Sequence, residues 1–175
     1  MKKNIFLMLL VFSGMFISIN DSKAQCLPDC PADAWSSPPS LLTVTIAPGC
    51  VMEISYSHRF ACGTWYDYYV NSVVLTSSGG CSFAASDIDE VIDEATIALL
   101  ANNPQNFPSQ CGAEMWRASA ALCWRKDGSS YTPCPPVVCN LTRYTVCNGV
   151  VTQTATNYPP VTCTFPCVSV DPLTE

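Results

Sequence analysis

From residue 41 onward, apolar and polar side chains alternate with the two-residue period of strands, change once to a helical period, and then alternate again. Residues 41–47 are rich in β-branched side chains and read as a short strand. Pro48-Gly49 then supplies the residues of a type II turn. The clearest alternation follows: Met52, Ile54, Tyr56, His58 and Phe60 share one face, and Glu53, Ser55, Ser57 and Arg59 the other. Beyond Cys62-Gly63, residues 64–76 form a second long strand with apolar groups on both sides. Trp65, Tyr69, Val73 and Leu75 stand on one face, against Tyr66, Tyr68, Val70 and Val74 on the other. That pattern predicts a central strand covered on both faces.

The period changes after Ser78-Gly79-Gly80. Ser86 can cap a helix whose first turn carries Asp87, Asp89 and Glu90, where the helix dipole favours negative charge. Ile88, Val91, Ile92, Ala95 and Leu99 define its buried stripe. Ile97 and Leu100 lie off that stripe, which predicts deeper cover for the second half, and Asn102-Asn103-Pro104 ends the helix. In residues 114–125, Trp116, Ala118, Ala120, Leu122 and Trp124 alternate as a strand. The alanines also suit a helix, and the strand is the favoured reading. Last comes a hairpin, residues 141–147 and 150–156, turning at Asn148-Gly149 with type I′ chemistry. These elements predict one α+β domain, an antiparallel sheet of about six strands with one main helix, rich in disulfides.

The first 24 residues read differently. Lys2 and Lys3 precede an apolar run from Ile5 to Ile19, and Ser22 and Ala24 place small residues at a cleavage site. This is the pattern of a secretory signal, and the run is short for a membrane span. Residues 1–24 are therefore read as a signal peptide and 25–175 as a single secreted domain, extracellular or periplasmic, with a lysine-rich opening in the bacterial manner. A lipid anchor at Cys26 is disfavoured because Gln25, not a small residue, precedes it. No other segment is long and apolar enough to span a bilayer. The whole chain carries 8 basic and 14 acidic groups, a formal charge of -6. Beyond residue 24 the balance is 5 basic to 13 acidic, which opposes nucleic acid and anionic membranes as partners.

All 12 cysteines lie beyond the leader: Cys26, Cys30, Cys50, Cys62, Cys81, Cys111, Cys123, Cys134, Cys139, Cys147, Cys163 and Cys167. An even number in a secreted chain predicts disulfides. A structural metal would need tight pairs matched with histidines, and His58, the single histidine, is remote from the close pairs. No metal and no cofactor is expected. Cys50 and Cys62 bracket one strand, which holds them roughly 40 Å apart, whereas a disulfide tolerates about 7 Å between Cα atoms. In a hairpin turning at Cys62-Gly63, Cys50 faces the neighbourhood of Leu75, so Cys81 is the expected partner. The same geometry separates Cys111 from Cys123 and Cys139 from Cys147. The C-x-x-x-C pairs Cys26/Cys30 and Cys163/Cys167 are left open, either closing locally or tying the two ends together.

No motif assigns a reaction: nucleophile elbow, zincin, phosphate-loop and dinucleotide patterns are all lacking in the sequence. The carboxylates at 87–94 follow a helical period without a loop glycine, so they read as a solvated helix start rather than a calcium loop. His58, on the apolar face of its strand, reads first as a core histidine and second as the base of a small hydrolase. Asn140-Leu141-Thr142 matches a glycosylation acceptor. Trp65, Tyr66, Tyr68 and Tyr69 form the densest aromatic patch, suited to sugar rings or a protein surface. The leading expectation is thus a non-enzymatic secreted protein that binds an extracellular glycan or protein. The alternative is an inhibitor of an extracellular hydrolase, using the loop from Asp127 to Cys139.

Overall fold

The computed structural model describes Cys30 and residues 32–109, 111–135, 137–157, 162–164 and 166–170. The signal segment and Cys26 lie outside these residues. The chain runs β1 (Ser40–Ala47), β2 (Cys50–Ala61), β3 (Trp65–Ser77), α1 (Ile88–Asn102), β4 (Trp116–Ser119), β5 (Cys123–Asp127), β6 (Ser130–Pro133), β7 (Leu141–Cys147), β8 (Val150–Asn157) and β9 (Val168–Ser169). Among the described residues one helix lies against a mostly β structure.

Among the described residues the sheet has nine strands, not six, and it is mixed rather than antiparallel. β1, β2 and β3 form the expected meander. The far edge of β3 is shared. Its first half, Tyr66 to Tyr69, pairs parallel with β4, and Val73-Val74 pairs antiparallel with β6. The sheet therefore forks, one branch running through β4 and β7 to β8, the other through β6 and β5 to β9. A parallel neighbour requires a long crossover, and α1 with its flanking loops is that crossover. Alternation along a strand carries no sign of its partner's direction, so the sequence pattern could not show it.

Residues 114–125 are extended, but they make two short strands instead of one. Between them the Leu122 N–H donates to the Val138 carbonyl and Ala121 bridges Cys139. Every residue from Trp116 to Trp124 is buried, so the alternation of large and small side chains there is not an alternation of inside and outside.

The long hairpin also departs from simple alternation. Ser55 pairs with Ser72 but Tyr56 with Val70, leaving Asn71 as the extra residue of a bulge. A one-residue slip moves side chains to the other face. Val73 and Leu75 therefore join Tyr68 and Val70 in the core, instead of sharing a face with Trp65 and Tyr69. On β2, Met52, Ile54 and Tyr56 are buried beneath the helix, while further along Ser57, Arg59 and Ala61 are the buried positions. His58 is half-buried and Phe60 is 48% exposed.

The helix is capped by Asp87, not Ser86: its carboxylate accepts from the Glu90 N–H at 3.3 Å. Asn103, in the left-handed region at φ 42°, closes the other end by donating its N–H to Leu99. Val91, Ile92, Ala95, Leu99 and Leu100 are buried, whereas Ile97 faces outward at 37% exposure. In the last hairpin both turn residues have positive φ, Asn148 at 51° and Gly149 at 79°, as a type I′ turn requires.

Five disulfides staple these elements: Cys30–Cys62, Cys50–Cys81, Cys111–Cys147, Cys123–Cys163 and Cys134–Cys167. Cys139 is also disulfide-bonded, and no described cysteine is free. Cys163 and Cys167 neither close on each other nor reach the N-terminal segment; they pin the tail to β5 and to the end of β6. Cys30 fastens the lead-in to the β2–β3 turn. Such bonds belong to an oxidising compartment. No described helix is long and apolar enough to cross a membrane.

Candidate functional site

Asp67 is the only charged residue in β3, and it is fully buried. A carboxylate removed from water must be paired, and the strand register supplies its partners. Arg59 stands opposite it on β2 and Arg117 beside it on β4; Arg143 on β7 is opposite Arg117, and Ala155 on β8 is opposite Arg143. A single row of side chains thus crosses five strands, on the face opposite the one covered by α1.

The row is built in two parts. Arg117 makes a two-pronged contact with Asp67, Nε to Oδ1 at 2.6 Å and Nη2 to Oδ2 at 2.8 Å. Arg59 donates Nε to Oδ2 at 2.9 Å, and its Nη1 also donates to the backbone carbonyls of Asp33 and Cys30. The Arg59 guanidinium lies 4.5 Å from the Trp35 ring centre, so the N-terminal segment closes over this end of the row. These three charged side chains are essentially inaccessible to water. Arg143 is different. It is exposed, and its guanidinium lies 5.3 Å from the centre of the half-buried Trp65 ring, which Arg117 approaches at 4.8 Å.

The four aromatic residues of the candidate patch divide between the two faces, as strand alternation required. Trp65 and Tyr69 share the face of the charged row. Tyr69 packs near Trp35 with ring centres 6.1 Å apart, and burial pushes its hydroxyl up to about 12. Tyr66 and Tyr68 are on the helix side. Tyr68 is fully buried, its hydroxyl also pushed up by burial, and it donates to Asn103 Oδ1. Tyr66 is stacked between Phe60 at 5.2 Å and Phe107 at 4.7 Å. The consecutive spacing 65-66 and 68-69 already required this division, because successive strand residues point to opposite faces.

His58 packs beside Tyr56 and edge-on to Phe107. Burial holds its pKa below the usual 6.5. Its Nδ1 is buried with no hydrogen-bond partner among the described residues, while its backbone N–H donates to Ser36 Oγ. Among the described residues no hydrogen bond joins the imidazole to a hydroxyl or thiol, and the ring contacts are those of a packed histidine. Asn140 is 5% exposed and its Oδ1 accepts from the Ala120 N–H at 2.8 Å. It is thus a structural residue, closed to glycosylation in the folded chain. Cys30, Asp33 and Cys62 come within metal-ligating distance of one another, but both sulfurs are joined in a disulfide, which removes the thiolates a metal would need.

Among the hollows beside the sheet, two bear on the site. The one between α1 and β4–β7, lined by Asp93, Thr96, Ser119 and Thr142 among others, encloses about 10 Å³. That is room for one water and for no substrate. The other opens beside the end of the charged row, lined by Leu141, Arg143, Ala155, Thr156 and Asn157, with a volume of about 290 Å³. It lies at the lower end of the range for small-ligand sites.

Arg59, Asp67, Arg117 and Arg143 are the residues that pattern reasoning passed over. The signal for them was present: a lone carboxylate in a strand predicted to be covered on both faces must have cationic partners, and beyond residue 24 the chain offers five. No protein-family model, no curated protein and no solved structure matches this chain.

Proposed function

We propose that this disulfide-rich domain is secreted and non-enzymatic, and that it binds an extracellular glycan or protein through the sheet face that bears Trp65, Tyr69 and Arg143. The observation that carries the reading is the setting of Trp65. A large half-buried ring on a rigid central strand contacts two guanidiniums, one of them exposed. Such a ring offers contact area at little entropic cost, because its neighbours already hold it. The buried ion row and the disulfides keep the strands beneath it from adjusting, which suits recognition by a preformed surface.

Binding to immobilised polysaccharides and extracellular proteins tests this reading. Trp65→Ala and Tyr69→Ala should each lose retention while keeping the wild-type circular dichroism spectrum. Retention unchanged in both variants would remove this face from consideration. An inhibitor reading draws on a separate observation: the loop between Cys134 and Cys139 is disulfide-anchored at both ends. It predicts that cleavage within that loop abolishes inhibition of a target hydrolase and leaves binding through Trp65 intact.

A further inference from the structure

Resting on the reading of this face as a binding surface, we infer that the open end of the charged row is a carboxylate site, and that its ligand is an acidic saccharide. Counted along the register, the row reads positive, negative, positive, positive, and then ends at Ala155. The first three charges are satisfied within the protein. The fourth faces like charge across the strand pair, an arrangement that destabilises a sheet unless an anion relieves it.

Charge counting makes the arrangement more pointed. Beyond residue 24 the chain has five cationic side chains against 13 acidic ones, and three of the five stand in this row. The remaining two are engaged elsewhere: Arg125 donates to Thr132 Oγ1 and Lys126 to the Ala85 carbonyl. Arg143 has no carboxylate partner and no side-chain hydrogen bond among the described residues; its contact is with the Trp65 ring. Of the exposed cations Arg143 is thus the one without a side-chain hydrogen bond among the described residues, and it stands at the lip of the 290 Å³ hollow.

The other groups at the hollow select among anions. The guanidinium fork matches a planar carboxylate in a two-pronged contact. Asn157 offers an amide to ligand hydroxyls, while the Thr156 hydroxyl already accepts from Gln153 Nε2. Leu141 and Ala155 offer apolar contact to ring C–H groups, and Trp65 bears on the site through the Arg143 guanidinium that it contacts. A uronic acid carries all three kinds of group on one ring. An extended acidic peptide would instead take its main-chain bonds from the outer edge of β8, which pairs only with β7 among the described residues. That edge is one strand beyond Arg143, and the peptide would leave Trp65 untouched.

Calorimetric titration of the secreted chain with trigalacturonate tests the inference, with the carboxyl-reduced trisaccharide and hexaglutamate as comparison probes. Trigalacturonate should bind at least about tenfold more tightly than its carboxyl-reduced form, and more weakly as salt rises. Arg143→Gln should remove about tenfold to a hundredfold of that affinity together with the salt dependence, and Arg143→Lys should recover part of it. Arg143 is exposed, so both variants should fold as the wild type does, with an unfolding midpoint no lower than its own. No binding of trigalacturonate, equal binding of the reduced form, equal or tighter binding of hexaglutamate, or an unaffected Arg143→Gln variant would each overturn the inference. Neutral-sugar binding that falls with Trp65→Ala but not with Arg143→Gln would leave the binding face standing and remove only the carboxylate site.

Discussion

Asp67→Asn changes one oxygen to an amide and almost nothing in volume, so it isolates the charge that holds the sheet face together. The wild-type carboxylate receives three guanidinium N–H groups at 2.6 to 2.9 Å. The asparagine oxygen can still accept, but its amide nitrogen is a donor directed at a donor. Arg59 and Arg117 then remain buried and lose the carboxylate that both contact. Removing one partner from a buried ionic cluster costs about 3–5 kcal/mol, and here the lost carboxylate serves two cations. Against a total stability of about 5–15 kcal/mol for a domain, that is a large fraction. Urea unfolding with the disulfides intact, followed by tryptophan fluorescence, should show the midpoint falling by roughly 2 M at an unchanged slope. Replacing all three charges together (Arg59→Met, Asp67→Leu and Arg117→Met) should cost far less than the single change, because a well-packed apolar replacement avoids burying charge at all. A loss below about 1 kcal/mol in Asp67→Asn would refute the reasoning, since it would give the triad only the worth of a surface ion pair.

Three further predictions follow from local geometry. Burial holds the folded-state pKa of His58 below its unfolded value of 6.5, so the unfolded chain takes up the proton first. Stability should therefore be full above that pH and fall as the pH drops below it; His58→Phe should flatten this slope when unfolding is measured between pH 7.5 and 5.5. A side chain on Gly80 would place its Cβ 1.8 Å from the Pro48 carbonyl oxygen. Gly80→Ala should accordingly cost about 3 kcal/mol, read by thermal unfolding, whereas Gly79→Ala, with open space around it, should be nearly silent. The Cys50–Cys81 bond closes a separation of 31 residues, so the double change to serine should cost about 3–4 kcal/mol in the chain-entropy account, measured by urea unfolding under non-reducing conditions.

Much of the fold is visible in the residue pattern, and the failures have definite causes. Local signals carried furthest: the Asn148-Gly149 turn, the helix and the β2–β3 hairpin each depend on neighbours in sequence. The bulge at Asn71 escaped because nothing in a run of apolar residues marks where one strand gains a residue on the other. It moved Val73 and Leu75 to the core face. The parallel β3–β4 pair and the fork of the sheet escaped because partner choice is a long-range property. In the candidate site, Trp65 and Tyr69 were legible as a same-face pair, and Tyr66 and Tyr68 separated from them by strand parity. The row from Arg59 to Arg143 depended on registers across three strand pairs that no local pattern fixes. Asp67 alone pointed to it, as a charge that burial could not leave unpaired.

Hydroxyl-radical footprinting of the secreted chain, with and without bound polygalacturonate, tests the assignment of the binding face most directly. The two sides of the sheet carry distinct oxidisable reporters: Trp65 and Tyr69 on the charged-row face, Phe60 and Tyr66 on the other. The account predicts that the ligand protects Trp65 and Tyr69 and leaves the oxidation of Phe60 and Tyr66 unchanged. Protection at Phe60 and Tyr66, with Trp65 still fully reactive, would contradict it.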